Sequence, residues 1–182
     1  VGGGGSGSSR TSNPAGYAGA GGKASDTSDV TMPSGSYTIR VGKGGASVTA
    51  SSSNVSGNNG QASSIVAGSG ITDFTTITQD GGAGGAKSSA STGGSKLSSN
   101  ITGTTVTYAT DGGGTQKGDG GKIPSGTKKA SGAGQNGFVV VRLTAVEVPK
   151  TFEYEGVKFT TTGAETNYVG GELVMTFTKS GK

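Results

Sequence analysis

The side chains best suited to catalysis are almost absent from this chain. Its 182 residues include no Cys and no His, which removes thiolate nucleophiles, imidazole bases and the usual zinc ligands. Paired carboxylates could cleave glycosidic bonds. However, Glu153 and Glu155 lie two apart on one predicted strand, as on a solvated face, and the chain has no Trp to stack sugars. We therefore expect no enzyme and no catalytic residues.

Two glycine-containing motifs could bind a nucleotide or a metal ion. Residues 132–137 match G-x-G-x-x-G, but the dinucleotide fingerprint needs a strand before it and a helix after it, and here a strand follows. Residues 111–119 lack the alternating oxygen ligands and the closing Glu of an EF-hand loop, so Asp-Gly turns explain them better. The sequence predicts no cofactor and no metal.

Binding is the remaining chemistry, and its candidates are polar and aromatic side chains between glycine runs. Tyr supplies contact area at low entropy cost, which suits recognition loops. The net charge of +4 is spread along the chain, whereas nucleic-acid binding needs a concentrated basic face. No run of 18 apolar residues exists, so we expect neither nucleic acid nor membrane insertion. The predicted receptor-contact residues are Tyr17, Asn58, Asn59, Lys128 and Lys129.

The elements that must position these residues have little core material. Val (15), Ile (6), Leu (3) and Phe (5) together fall below the ~20% level under which disorder becomes an option. Leu is scarce and no long stretch has a 3.6-residue apolar stripe, so essentially no α-helix is expected. Val, Ile, Thr, Tyr and Phe favour strands. The sequence thus predicts an all-β or irregular fold with short antiparallel strands.

Glycine density divides the chain once. Of the 39 glycines, all but five precede residue 144, which predicts a glycine-rich domain at 1–143 and a C-terminal β extension at 144–182. Within the first part, strands are predicted at 37–41, 71–78, 101–108 and 138–143. The extension predicts a hairpin around Gly156 and a closing strand at 172–178.

The glycine runs suggest backbone packed against backbone. Gly inside an ordinary strand costs about 0.5–1 kcal/mol relative to Ala, whereas polyproline-II helices, with three residues per turn, can approach closely where glycine faces inward. Ten glycine pairs are three residues apart, against roughly eight expected by chance for a three-residue period. The expected segments are therefore polyproline-II-like and packed in layers, although glycine spacing alone does not demonstrate the period.

Three motifs in order resemble the glycine-rich domain of bacteriophage tail fibres and tail-tip adhesins. They are the opening glycine run with the hairpin-like stretch at 30–45, the strand at 74–78 leading to 81–85, and the closing Gly-Phe-Val-Val-Val-Arg at 137–142. The resemblance covers roughly residues 1–143. It implies a sandwich of packed polyproline-type helices edged by short strands, with variable loops that contact the bacterial surface.

On this basis we expect a non-catalytic, extracellular tail-fibre or adhesin segment of the virion, with a structural role, a host-attachment role or both. The expected partners are other fibre subunits, in a homo-oligomer for which a trimer is one candidate symmetry, and a bacterial surface glycan or outer-membrane protein. A non-viral filament or matrix protein is the alternative, and long polymers in electron microscopy would favour it. An ice-binding protein is a third reading, for which thermal hysteresis is the test.

Overall fold

Short antiparallel strands alternate with long stretches that are neither strand nor helix. The computed structural model describes residues 1–12, 15–28, 30–33, 35–49, 52–124, 126–143, 153–154, 157–158, 164–169 and 172–177. These residues contain no helix, which confirms the predicted fold class. The strands are β1 (Tyr37–Arg40), β2 (Ser63–Ala67), β3 (Ile77–Gln79), β4 (Leu97–Ser99), β5 (Val106–Tyr108), β6 (Val139–Leu143), β7 (Glu153–Tyr154), β8 (Val157–Lys158), β9 (Ala164–Val169) and β10 (Glu172–Phe177).

Residues 2–9, the central segment, form the axis of a bundle. Their backbone N–H groups donate to three other segments in turn. Gly2, Gly5 and Ser8 donate to residues 15–23, and Gly3, Ser6 and Ser9 donate to residues 54–61. Gly4 and Gly7 donate to residues 131–137. All eight N···O distances are between 2.8 and 3.0 Å. Three residues per turn without internal hydrogen bonds is the geometry of a polyproline-II helix. Each acceptor steps back three residues as the donor advances three, so these are antiparallel segments.

Carbonyl oxygens of the central segment accept hydrogen bonds from three further segments. Gly3 and Ser6 accept from residues 81–86, Gly4 accepts from residues 42–48, and Gly5 accepts from residues 118–122. These parallel segments alternate with the antiparallel ones, and each is hydrogen-bonded to both of its neighbours in the ring. Within the described part of the chain, six segments thus surround a seventh.

Glycine is required in the bundle because neighbouring backbones lie where side chains would be. A Cβ added at any of Gly2, Gly3, Gly4 or Gly5 would lie 2.0–2.2 Å from a backbone carbonyl oxygen of an adjacent segment. Such a distance is far below van der Waals contact, so close packing leaves no room for even one methyl group. The central segment is buried along residues 2–9 although it contains no large apolar side chain.

The first six strands lie beyond the end of the bundle that contains Val1, here the Val1 end. β1 to β5 connect segments that arrive at this end with segments that leave it, whereas β6 follows the arriving segment 131–137. They form sheets of order β1-β2-β3 and β4-β5, with β6 in the sheet β6-β10-β9. A buried cluster lies on the first sheet and β6, formed by Tyr37, Ile39, Val41, Ile65 and Val139. A second consists of Tyr108, Ala109 and Phe138. Apolar packing is therefore concentrated at this end.

Some strands differ from the predicted ones. β3 begins at Ile77 rather than at 71, because Phe74 packs its ring edge-on against Tyr37, with centroids 5.0 Å apart, instead of entering the ladder. β5 likewise covers only the last three residues of the predicted 101–108 strand.

The C-terminal prediction is confirmed where the structure describes it. β7 and β8 form the predicted hairpin, and β10 is the predicted closing strand. β10 pairs antiparallel with β6, so the two predicted domains contribute strands to one sheet. The boundary itself falls at residue 144, outside the described residues, and stays a prediction.

Candidate binding surface at the Arg10 end

Four connections meet at the end of the bundle opposite the strands, here the Arg10 end. The central segment and the three parallel segments all finish there. The chain then turns back, because the antiparallel segments begin at the same end. After residue 86 the chain also returns, here alongside residues 15–23, where the Ser91 N–H donates to Ala18 O. The described residues of the four connections are 10–12, 49 with 52–53, 87–90, and 123–124 with 126–130.

Every charged residue in these four connections is a cation: Arg10, Lys87, Lys128 and Lys129. The four positive charges of these residues equal the net charge of the chain, +4, so the remaining sequence has as many acidic as basic residues. Lys87, Lys128 and Lys129 are exposed. The Arg10 end is therefore positively charged without internal neutralisation, although the chain as a whole is only mildly basic.

Arg10 links two of the connections. Its guanidinium donates from Nη1 to the Tyr17 hydroxyl at 3.2 Å and lies 5.3 Å from the centre of that ring, within the range of a cation–π contact. Its carbonyl oxygen accepts the Lys128 N–H at 2.8 Å, while the neighbouring Ser9 hydroxyl donates to the Lys129 carbonyl at 2.6 Å. Its Nε is buried without a hydrogen-bond partner among the described atoms.

The backbone of Lys128 is held in a strained conformation. Its φ is +54°, in the left-handed region that costs an L-residue roughly 1–2 kcal/mol. The Lys128 N–H bond to Arg10 holds this conformation in place. Strained residues of this kind concentrate at ligand-binding sites, where the surrounding structure imposes the geometry.

The structure brings together three of the five predicted contact residues. Tyr17, Lys128 and Lys129 all lie around Arg10, whereas Asn58 and Asn59 lie on the flank of the bundle. The Asn58 amide donates to Ala46 O at 2.9 Å, and the Asn59 side-chain oxygen accepts the Gly84 N–H at 2.8 Å. Both asparagine side chains thus tie neighbouring segments together, and their contact with a receptor stays a prediction.

Arg10 is the member of this cluster that the sequence analysis did not select. Its available signal was its place directly after the opening Gly/Ser run, as the first bulky residue of a connection. Its importance depends on contacts with residues seven and more than a hundred positions away, which no local pattern reveals.

The motifs considered for other chemistry have structural roles. Residues 132–137 belong to an antiparallel segment of the bundle, and the N–H groups of Gly132, Gly134, Gln135 and Gly137 donate to neighbouring backbone. Asp119 is buried and accepts the N–H groups of Thr110 and Gln116, both at 2.8 Å. Asp111 accepts the Gly21 N–H at 2.7 Å. A search of the described residues finds no group of three potential metal ligands, and no helix among them is long and apolar enough to cross a membrane.

Comparison with known proteins gives one match. The family model described as the glycine-rich domain matches residues 1–181, and so extends over both the bundle and the C-terminal strands. No curated protein and no solved structure matches the chain. The packed glycine segments supply a physical reason for the composition that defines the match. Since the match covers almost the whole sequence, the chain belongs to the glycine-rich domain family.

Proposed function

We propose that this chain is a non-catalytic segment of a phage tail fibre or tail-tip adhesin that binds an anionic polysaccharide on the bacterial surface through its Arg10 end. The observation that carries the proposal is the confinement of the net positive charge to four adjacent connections. Like charges on one face attract an oppositely charged ligand and speed its encounter. Phosphate and carboxylate groups of surface glycans have the required charge.

Two further features favour recognition over a spacer role. The Arg10 guanidinium lies over the Tyr17 ring, so this half-buried pair would offer a sugar both a cation and aromatic surface. Lys128 keeps a strained backbone at an exposed turn where Gly or Asn would be more comfortable. Strain at an exposed position is better explained by ligand contact than by folding.

The assignment to a phage particle rests on the resemblance of three ordered motifs. In such a particle the chain would act outside the cell and assemble with other fibre subunits, in a homo-oligomer for which a trimer is one candidate. The two ends of the bundle suit this arrangement. None of strands β1 to β6 lies at the Arg10 end, which would face the ligand, while the Val1 end, where these strands lie, would offer surfaces for assembly.

Binding to purified lipopolysaccharide, compared before and after chemical removal of its phosphate groups, tests the proposal. We expect the double variant Lys128→Gln/Lys129→Gln to bind intact lipopolysaccharide about tenfold more weakly, since each exposed charge contact contributes about 0.2–1 kcal/mol. Binding by the unmodified protein should also weaken as the salt concentration rises from about 0.05 to about 0.5 M, because salt screens the attraction between exposed charges.

The matched control is Lys43→Gln/Lys96→Gln, which removes the same charge from two exposed lysines outside the Arg10 end. It should bind like the unmodified protein. Equal losses in both double variants would indicate nonspecific attraction, and unchanged binding to phosphate-free lipopolysaccharide would exclude phosphate as the recognised group. An absence of any binding would exclude lipopolysaccharide as the receptor.

A further inference from the structure

The central segment changes from glycine to mostly serine as it approaches the Arg10 end. Residues 2–5 are all glycine, whereas serine occupies positions 6, 8 and 9. Ser6 and Ser8 are 0% exposed and Ser9 is 1% exposed. Because a hydroxyl removed from water costs free energy unless it is hydrogen-bonded, the partner of each hydroxyl indicates what that serine does.

The hydroxyls of Ser6 and Ser8 hold segments of the bundle together. The Ser6 hydroxyl accepts the Asn58 N–H at 2.8 Å, and the Ser8 hydroxyl accepts the Tyr17 N–H at 2.8 Å. Both partners belong to antiparallel segments that the central segment also contacts through its backbone. These two hydroxyls therefore strengthen contacts that the bundle already makes.

The Ser9 hydroxyl bonds instead to one of the four connections. The backbone of Ser9 is satisfied within the bundle, because Ser9 and Val55 exchange both N–H···O bonds, at 3.0 and 2.9 Å. Its hydroxyl donates to the Lys129 carbonyl oxygen at 2.6 Å, across 120 positions of the chain. The side chain thus links the axis of the bundle to the connection that contains Lys128 and Lys129.

Two hydrogen bonds bracket these two lysines. One joins the Lys128 N–H to Arg10 O at 2.8 Å, and the other is the Ser9 bond to Lys129 O. The backbone dihedrals of both lysines lie between these two atoms, including the Lys128 φ of +54°. Within the described part of this connection, 123–124 and 126–130, no other hydrogen bond leads to the bundle. Loss of the Ser9 bond would therefore let the strained backbone of Lys128 relax.

We propose that Ser9 is a positioning residue for the Arg10 end, whose buried hydroxyl fixes the backbone of Lys128 and Lys129 before the anionic ligand arrives. This inference rests on the proposed function and deepens it. Two lysines with an ordered backbone lose less conformational entropy on binding than two lysines on a loose loop. Ser9 itself is buried and acts only through the connection.

Ser9→Ala removes the hydroxyl and keeps the backbone bonds to Val55. The variant should bind lipopolysaccharide about fivefold more weakly, the range of one lost hydrogen bond. In the free protein, NMR should show the Lys128 amide exchanging its hydrogen at least about tenfold faster.

Ser6→Ala is the matched control, since it removes an equally buried hydroxyl from the same segment. Its unfolding free energy should fall by a comparable amount. It should nevertheless bind lipopolysaccharide like the unmodified protein and leave the exchange of the Lys128 amide unchanged.

Combining Ser9→Ala with Lys128→Gln/Lys129→Gln separates positioning from a general loss of structure. If Ser9 acts through the two lysines, its effect on binding disappears once they carry no charge, so the triple variant should bind like the double variant. A further loss of about fivefold in the triple variant would overturn the inference.

Equal binding by Ser9→Ala and Ser6→Ala, or unchanged exchange of the Lys128 amide in Ser9→Ala, would also overturn it. Each of these three outcomes leaves the proposed function standing, because the unmodified protein still binds. Failure of the unmodified protein to bind lipopolysaccharide would instead overturn both proposals for this ligand.

Discussion

At residues 81–85 the order Gly-Gly-Ala-Gly-Gly places each residue type against a different surrounding. A Cβ at Gly81 or Gly84 would lie 2.1–2.2 Å from carbonyl oxygens of residues 54–61. One at Gly82 or Gly85 would lie 2.2–2.4 Å from carbonyl oxygens of residues 15–23, while Ala83 between them is exposed. A helix with three residues per turn has three faces. Two of them meet backbone here and require glycine, and the third accepts a side chain.

A pair of alanine substitutions separates close packing from backbone conformation. Gly60→Ala would place its Cβ 2.0 Å from Gly3 O, and we expect a loss of roughly 3 kcal/mol or more in the free energy of unfolding, from overpacking. Gly70 has φ +90° with open space around it, so Gly70→Ala should cost only about 1 kcal/mol. Urea denaturation measures both. Similar losses would show that backbone conformation, and not packing, explains the glycines.

The number of glycine pairs three residues apart did not reveal the three-residue period of the bundle segments. Ten pairs three residues apart barely exceed the number expected by chance, because 39 of the 182 residues are glycine. Yet in the structure all ten pairs fall within the seven bundle segments, with at least one pair in each. The three-residue period is therefore visible in where the pairs lie along the chain, and not in how many pairs there are. Each segment covers only two or three turns, too few for a count to detect, and the partners are distant in sequence.

Strands form where the glycine segments leave the bundle. β1 ends just before Gly42, and β6 begins just after Gly137 and Phe138. Where glycine gives way to residues with larger side chains, neighbouring backbones can no longer approach as closely. The β-branched and aromatic residues found there favour paired strands. The element boundaries thus follow a local change in side-chain volume. This is why the apolar strands β1 and β6 could be predicted.

The polar strands could not be predicted from local pattern. β2 (Ser63–Ala67) and β4 (Leu97–Ser99) contain mostly small and polar residues. β2 pairs with β1 on one side and β3 on the other, so its position follows from its neighbours. The Arg10 cluster was unpredictable for the same reason, since it is assembled from connections that only the bundle brings together.

Tyr37 in the sheet β1-β2-β3 should make the folded protein less stable at alkaline pH. Burial raises the pKa of its phenol above the usual 10.0, and its hydroxyl donates to Pro33 O at 2.7 Å. The unfolded chain therefore loses this proton first, and stability should fall as pH rises above about 10. Chemical denaturation at pH 8 and pH 11 should show a smaller pH-dependent loss for Tyr37→Phe than for the unmodified protein.

Tyr17→Phe is the control for this measurement, because Tyr17 lies at the Arg10 end, apart from the sheet. This variant should keep the alkaline loss of the unmodified protein. If Tyr37→Phe and Tyr17→Phe showed the same pH dependence, burial of Tyr37 would not be the cause.

On the scale of the whole molecule, the two ends have different properties. The Val1 end carries the apolar clusters and strands β1 to β6, whereas the Arg10 end carries uncompensated positive charge and four connections. Alternating chain direction around the ring produces this division, because every parallel segment finishes at one end. A change in a connection at the Arg10 end therefore leaves the bundle hydrogen bonds in place.

An interior of packed main chain also sets how the protein responds to temperature. Unfolding would hydrate many peptide groups, which lower the heat capacity, and comparatively few apolar side chains, which raise it. The heat-capacity increment per residue should fall clearly below the usual ~12–15 cal/mol/K, and scanning calorimetry over several pH values would measure it. A value in the usual range would contradict this expectation. A small increment gives a shallow stability curve, so the protein would tolerate cold and warmth almost equally.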